Sequence, residues 1–221
     1  MNHQKTKITA LLACGLLSTS IAQAKEPFTG FFLCLKAGGD LLTGKNKYQT
    51  PAGENESTLR KMGMSYGLGA GYMKLTSSKL LLGGEVYYEG RSLKAKQKMS
   101  TTIFEGDLNV SHKNSMGLSG MVGMAANPKI IAYGKLSLES NLFELNFKNL
   151  ARGAEDKKIT KRSFGMLPGA GMLYKLNDSI LLGLEYSLAV LKEIKTNPGS
   201  SITSIYSPSE NRVSANVRWI F

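Results

Sequence analysis

The sequence predicts an all-β fold, an eight-stranded antiparallel up-and-down barrel that crosses a membrane with strands. Three features point there. Apolar residues recur at every second position in eight separate segments. The connections between those segments alternate between three-residue turns and long polar stretches. Beyond the first 24 residues, no run provides the ~20 mostly apolar residues that a spanning helix needs.

The chain has 221 residues, with 28 Lys and Arg against 16 Asp and Glu. Residues 1–24 read as a secretory leader: a cationic head with Lys5 and Lys7, an apolar stretch from Ile8 to Ile21, then the small-x-small site Ala22-Gln23-Ala24. Cleavage before Lys25 leaves one barrel domain, 25–221, and lowers the net charge from +12 to +10 by removing those two lysines. Cys34 is then the single thiol, so no disulfide framework or metal cluster can form, and no cofactor is expected.

The first strand, Phe31 to Leu42, is the least regular. Met62 to Met73, Leu80 to Arg91, Leu108 to Ala125 and Ile130 to Asn141 alternate more clearly. Ser163 to Tyr174 sets Phe164, Met166, Ala170, Met172 and Tyr174 against Gly165, Gly169 and Gly171. The seventh strand is the cleanest: Ile180, Leu182, Leu184, Tyr186, Leu188 and Val190 share one face, opposite Gly183, Glu185, Ser187 and Ala189. The eighth carries Val213, Ala215, Val217, Trp219 and Phe221 on one side and Arg212, Ser214, Asn216 and Arg218 on the other.

Thr76-Ser77-Ser78, Asn127-Pro128-Lys129 and Asn177-Asp178-Ser179 are tight-turn sequences. The other four connections, near 43–60, 93–106, 146–161 and 192–209, are long and polar. Both termini fall on the short-turn side, which is the layout of an outer-membrane barrel with short periplasmic turns and four long extracellular loops. The Gly-Ala-Gly at 69–71 and the Leu-Leu-Gly-x-Glu at 81–85 recur 100 residues later, so the two hairpins occupy equivalent places. Duplication and shared physical demand both account for that echo.

The face opposite the large apolar residues carries the candidate site. Lys36, Glu85, Lys135 and Glu185 lie at equivalent heights on the four ascending strands with alternating sign, and Asp40, Glu89 and Glu139 form a second tier four residues on. The glycines of the descending strands leave room for these long side chains, and Arg212 and Arg218 add cations. The expectation is an interior ionic network of Lys36, Glu85, Lys135, Glu139, Glu185 and Arg218 that fills the lumen, with buried charges held by pairing. An ion pathway along the same residues is the functional rival. A lipocalin-type soluble barrel would turn its large apolar face inward, and an interior this rich in glycine and charge makes a poor lipid pocket.

The hairpin Gly169 to Ser179, the following Leu182-Gly183-Leu184-Glu185-Tyr186 and the ending Val213 to Phe221 resemble the small eight-stranded outer-membrane proteins. That is the OmpA/OmpX-like, porin-family β-barrel superfamily of Gram-negative bacteria. The resemblance implies an outer-membrane location and recognition of Trp219 and Phe221 by the barrel-assembly machinery. The two aromatics also suit an interfacial girdle.

Two long connections are cationic: Lys94, Lys96 and Lys98 in the second, and Lys157, Lys158, Lys161 and Arg162 in the third. They match the anionic phosphates of lipopolysaccharide in the outer leaflet, and equally suit an adhesin-like surface for acidic host molecules. Nucleic acid is not an expected partner, because the lysines are dispersed and no reading motif accompanies them. The expected function is a non-enzymatic surface protein of the envelope, with a small-solute channel or an adhesin as alternatives. Relatives that act on lipid A use a histidine with a serine; here alternation points His112, the one histidine outside the leader, to the lipid face. Gly39 to Lys45 fits the G-x-x-x-x-G-K frame, but Asn46 replaces the Ser or Thr that would hold magnesium, and no helix pattern follows.

Overall fold

The computed structural model describes residues 28–50, 53–101, 104–148, 157–199 and 202–221. The expected leader and the tip of the third long connection lie outside those residues. Among the described residues run nine antiparallel strands: β1 (Gly30–Thr50), β2 (Gly53–Leu75), β3 (Leu80–Thr101), β4 (Phe104–Asn127), β5 (Ile130–Lys148), β6 (Lys157–Lys175), β7 (Ile180–Leu191), β8 (Ile194–Gly199) and β9 (Ile202–Ile220). Each pairs with its neighbour up to β7, β7 pairs with β9, and β9 pairs back onto β1, so the ring is closed. Closure leaves no edge within the membrane, the condition for strands in lipid.

The ninth strand leaves the expected eight-stranded wall intact, and it has a local cause. Both β7 and β8 pair with β9, but the register slips by one residue between Val190↔Ser209 and Ile194↔Tyr206. Lys192 and Glu193 bulge out there, so β7 and β8 are one stave broken in two. The wall therefore has eight staves. Following paired residues once around, from Leu33 through Ala70, Val86, Leu118, Leu138, Met166, Val190 and Ser209, returns to β1 at Thr43, ten residues further on. With ~3.3 Å per residue and ~4.8 Å between strands, that stagger tilts the staves by about 40°.

Large apolar side chains cover the outside as a belt. On β7 it runs from Leu182 to Val190, all outward members exposed, which matches the roughly 9–11 residues a tilted strand needs to cross. Phe31, Tyr72, Tyr174 and Trp219 sit at its lower margin, toward the short turns. In the turn after β6, Asn177 Oδ1 accepts hydrogen bonds from the amides of Ser179 and Ile180, and Lys175 binds Asp178 at 2.6 Å, which holds that carboxyl below its usual range.

The long polar connections are strand for most of their described length, so the strands end higher than the sequence reading placed them. Above the belt the two faces exchange character. Outward positions become polar, as with Lys94, Lys96 and Lys158, while inward positions become apolar, as with Leu108, Val110, Phe143, Leu145 and Phe147. A period-two pattern sought on one fixed greasy face breaks at that level, although the backbone continues.

Here the wall also divides. Pairing of β2 with β3 stops at Ser65↔Arg91, and pairing of β6 with β7 stops at Gly165↔Leu191. What projects beyond is a head of two four-stranded sheets, β8-β9-β1-β2 and β3-β4-β5-β6. Their facing apolar residues form one cluster that joins Tyr206 and Ile194 to Leu108, Val110, Phe143, Leu145 and Phe147, and a second of Leu42, Leu59, Leu93 and Ala95.

Candidate functional site

The lumen is filled in layers. At the periplasmic end Phe28, Phe32, Met73, Leu81, Ile131, Leu173, Leu181 and Ile220 pack together with Cys34. Above them lies a lower ionic tier. Lys36 pairs with Glu85, Lys135 Nζ is 2.7 Å from Glu185 Oε2, and Arg218 Nη2 is 2.7 Å from Glu185 Oε1 and 3.8 Å from Glu85 Oε2. The Tyr133 hydroxyl donates to Glu185 at 2.6 Å, and Asn216 Nδ2 donates to the same oxygen at 3.2 Å. Arg218 Nε donates to Asn216 Oδ1, and the guanidinium lies 5.0 Å from the centre of the Phe32 ring. Arg218 is wholly buried, so its charge is held by these partners and not by water.

Glycine makes this tier possible. A Cβ at Gly69 would lie 2.5 Å from Glu85 Oε1, and one at Gly171 would lie 2.7 Å from the Tyr133 ring. Any larger residue on those descending strands would displace the groups that hold Arg218.

An upper tier follows. Arg91 reaches Asp40 at 2.5 Å, Glu89 at 2.5 Å, Glu139 at 3.4 Å and Glu210 at 3.7 Å. Arg212 reaches Glu139 at 2.5 Å and Glu210 at 2.8 Å. His112 Nδ1 lies 2.6 Å from Glu210 Oε1, and its ring stacks on Phe143 at 4.4 Å. The lower tier thus holds three cations and two carboxylates, the upper two guanidiniums and four carboxylates. The opposite imbalances draw the tiers together across a cavity of about 30 Å³ lined by Lys36, Asp40, Glu89, Lys135, Glu185 and Arg212, room for roughly one or two waters. Above the upper tier lie the two apolar clusters of the head.

Of the residues read from the sequence as an interior network, Lys36, Glu85, Lys135, Glu185 and Arg218 meet in the lower tier, while Glu139 belongs to the upper one. Arg91, His112 and Glu210 escaped that reading. Arg91 keeps the parity of Glu85, Tyr87 and Glu89, and Glu210 that of Arg212, Ser214 and Asn216, so both were visible to a pattern carried further along the strand. His112 was not: the β4 register slips between His112 and Asn114, and Lys113 takes the extra place. That bulge turns the imidazole from the expected lipid face into the lumen, where it is almost wholly buried.

The cationic residues of the head are exposed, on its outer face except for Lys157 and Lys161, which pair with the inward Phe147 and Phe143. Lys94 and Lys96 of β3 and Lys157, Lys158, Lys161 and Arg162 of β6 are exposed; the side chain of Lys98 lies outside the described residues. Lys158 binds Glu144 at 2.9 Å and Lys113 binds the same carboxylate at 3.7 Å. The Lys158 and Asn146 hydrogen bonds hold the Glu144 carboxyl below its usual range. Among the described residues, Lys94, Lys96, Lys161, Lys192, Lys195 and Arg162 have no carboxylate within 4.0 Å. Trp219 and Phe221 are partly exposed on the outer face at the periplasmic margin, and the Phe221 amide donates to Phe31 O at 2.8 Å across the closing seam.

Comparison with known proteins agrees with this architecture. Residues 9–221 match the family described as outer membrane protein beta-barrel domain. No curated protein matches the sequence. Among solved structures, the outer membrane protein OprG of Pseudomonas aeruginosa is 14% identical, with a TM-score of 0.51 over 88% of this chain and 98% of its own. Neisserial surface protein A is 18% identical, with a TM-score of 0.46 over 89% of this chain and 100% of its own. Ail of Yersinia pestis, solved with the heparin analogue sucrose octasulfate, is 9% identical, with a TM-score of 0.35 over 86% and 99%. At such an identity the likeness to OprG is one of fold. With a closed ring, an apolar belt of membrane-crossing length and a family match over nearly its whole length, the chain belongs to the outer membrane protein β-barrel domain family and resides in the outer membrane of a Gram-negative bacterium.

Proposed function

We propose that the protein is a non-enzymatic surface barrel with a closed lumen, whose cationic head contacts anionic groups at the cell surface, first the phosphates of lipopolysaccharide. The observation that carries this reading is the row of cations directly above the belt. Lys94 follows Gly90, Lys113 follows Met116, Arg162 follows Phe164 and Lys192 follows Val190, all outward and exposed. A lipid whose acyl chains lie along the belt meets these charges at headgroup height. The non-enzymatic part is supported by His112, which is spent on Glu210 and Phe143 inside the barrel. In this reading Lys36, Glu85, Lys135, Glu139, Glu185 and Arg218 hold the lumen shut, and Trp219 and Phe221 serve recognition by the assembly machinery.

The test is retention of the folded protein on immobilised lipopolysaccharide and on the same lipid after dephosphorylation. Retention is expected on the first, falling as salt screens the charges. Equal retention on both would contradict the proposal.

A further inference from the structure

Three glycines of the belt face outward with no reason for them inside the barrel. A Cβ at Gly84 would come no nearer than 3.6 Å to Ser119 O, one at Gly134 would lie 3.9 Å from Val122 O, and one at Gly120 would meet nothing within 4 Å. The inward glycines differ, since a Cβ at Gly69 or Gly171 would displace the groups of the lower ionic tier. Nor do the outward three mark a bulge: the β3/β4 register runs without a slip from Leu80 to Gly90, and the β4/β5 register from Asn114 to Ala125. A glycine inside a regular strand weakens it, and one that neither bends the chain nor relieves a clash is the mark of a close approach by another molecule.

Gly84 and Gly120 are direct partners across the β3/β4 pair, and around them the belt is hollowed into two adjoining grooves. The first, of about 490 Å³, lies over Ala70 and Gly84 between Leu33, Tyr72 and Val86. The second, of about 580 Å³, lies over Gly120 and Gly134 between Leu82, Val122 and Leu136. Toward the short turns the first groove ends at Phe31 and Tyr72, whose rings meet edge to face at 5.0 Å in the aromatic margin. Just beyond that margin the outward position after Tyr72 is Lys74, and the turns below carry Lys79 and Lys129, all three exposed. Among the described residues none of these lysines has a carboxylate within 4.0 Å, and the one acidic side chain of this rim, Asp178, is already held by Lys175.

We infer that the two grooves are the acyl-chain sites of one anionic phospholipid of the periplasmic leaflet, with its phosphate at the lysine rim of Lys74, Lys79 and Lys129. Two apolar grooves side by side above unpaired cations match a molecule with two hydrocarbon chains and one negative head. A lysine at a membrane margin lays its methylene stem along the apolar surface and carries its ammonium to headgroup height, so Lys74 reaches the phosphate while Tyr72 stays with the chains. A second copy of the barrel is the poorer occupant: seated on the same face, it would bring its own three lysines against these, and like charges set opposite one another oppose association. The site lies in the leaflet opposite to lipopolysaccharide, so it goes beyond the surface reading above without resting on it.

The experiment is native mass spectrometry of the protein refolded in detergent without lipid, then titrated with phosphatidylglycerol or with phosphatidylcholine carrying the same two chains. One phosphatidylglycerol per barrel is expected to stay bound, with an affinity about tenfold or more above that for phosphatidylcholine. Gly84→Leu with Gly120→Leu fills the floor of both grooves and is expected to weaken phosphatidylglycerol about tenfold, as the loss of a few methylene contacts does. Gly39→Leu, at an outward glycine of β1 outside both grooves, leaves it unchanged. Lys74→Gln, Lys79→Gln and Lys129→Gln together abolish the preference for the anionic lipid. Each variant is first shown to shift in gel mobility on heating, as a folded barrel does. Equal retention of the two lipids, or phosphatidylglycerol binding that survives the filled grooves, would reduce the site to ordinary boundary lipid or a plain charged rim and overturn the inference. A barrel dimer that disappears in Gly84→Leu with Gly120→Leu, in place of a bound lipid, would overturn it too and assign the grooves to a second copy. Retention on immobilised lipopolysaccharide is read separately, so either reading can fail while the other stands.

Discussion

Glu185 is the residue on which the lower tier turns, since Lys135, Arg218, Tyr133 and Asn216 all converge on its two oxygens. Glu185→Gln leaves Arg218 buried with too little opposite charge, and the expected loss is about 3–5 kcal/mol of unfolding free energy, read from urea titration in lipid vesicles. Arg218→Met, which removes the charge but keeps bulk, leaves Glu185 still paired with Lys135 and so costs less. An unchanged midpoint for Glu185→Gln would mean that the tier is not held by charge pairing. Deleting Phe221 removes the Phe221–Phe31 bond of the closing seam and the terminal aromatic; the folded fraction in outer membranes is expected to fall, measured by the heat-dependent shift in gel mobility. At this scale the sequence is most legible where alternation is unbroken. Lys36, Glu85, Lys135 and Glu185 could be placed inside from period two alone. His112 could not, because one inserted residue at Lys113 inverts every inward and outward assignment on its far side.

Strand ends show why the long connections were misjudged as loops. An amphipathic strand is recognised by a constant greasy face, and the environment of that face here changes from lipid to water partway along. On β5 the outward Leu136 and Leu138 give way to Ser140, Glu144 and Asn146, while the inward Lys135 and Glu139 give way to Phe143, Leu145 and Phe147. Each half alternates; the whole does not. Hydrogen exchange tests the division of the head. Among Lys157 to Arg162, the amides facing the seam should exchange orders of magnitude faster than those donating to β5, and those of Gly169 to Tyr174, walled in on both sides, should be the slowest in β6. Phe143→Ala removes a wholly buried ring that also supports His112, at an expected cost of about 3–5 kcal/mol in the same urea titration.

Taken as one object, the barrel carries the reverse of its exterior inside. Outside, polar margins flank an apolar belt; inside, apolar layers flank two ionic tiers. Each height thereby matches its surroundings on one face while keeping the other face packed, and the charges sit where lipid is outside. The sequence conveys this arrangement only in part, because layering depends on the ten-residue stagger of the ring, which brings residues as distant as His112 and Glu210 to one height. The most direct test of a closed lumen is single-channel recording of the folded protein in planar bilayers. The account predicts no ohmic steps for the wild type, and none for Glu185→Gln, because the apolar layers at both ends remain. A steady conductance in the wild type would contradict it and return the two tiers to the role of an ion pathway.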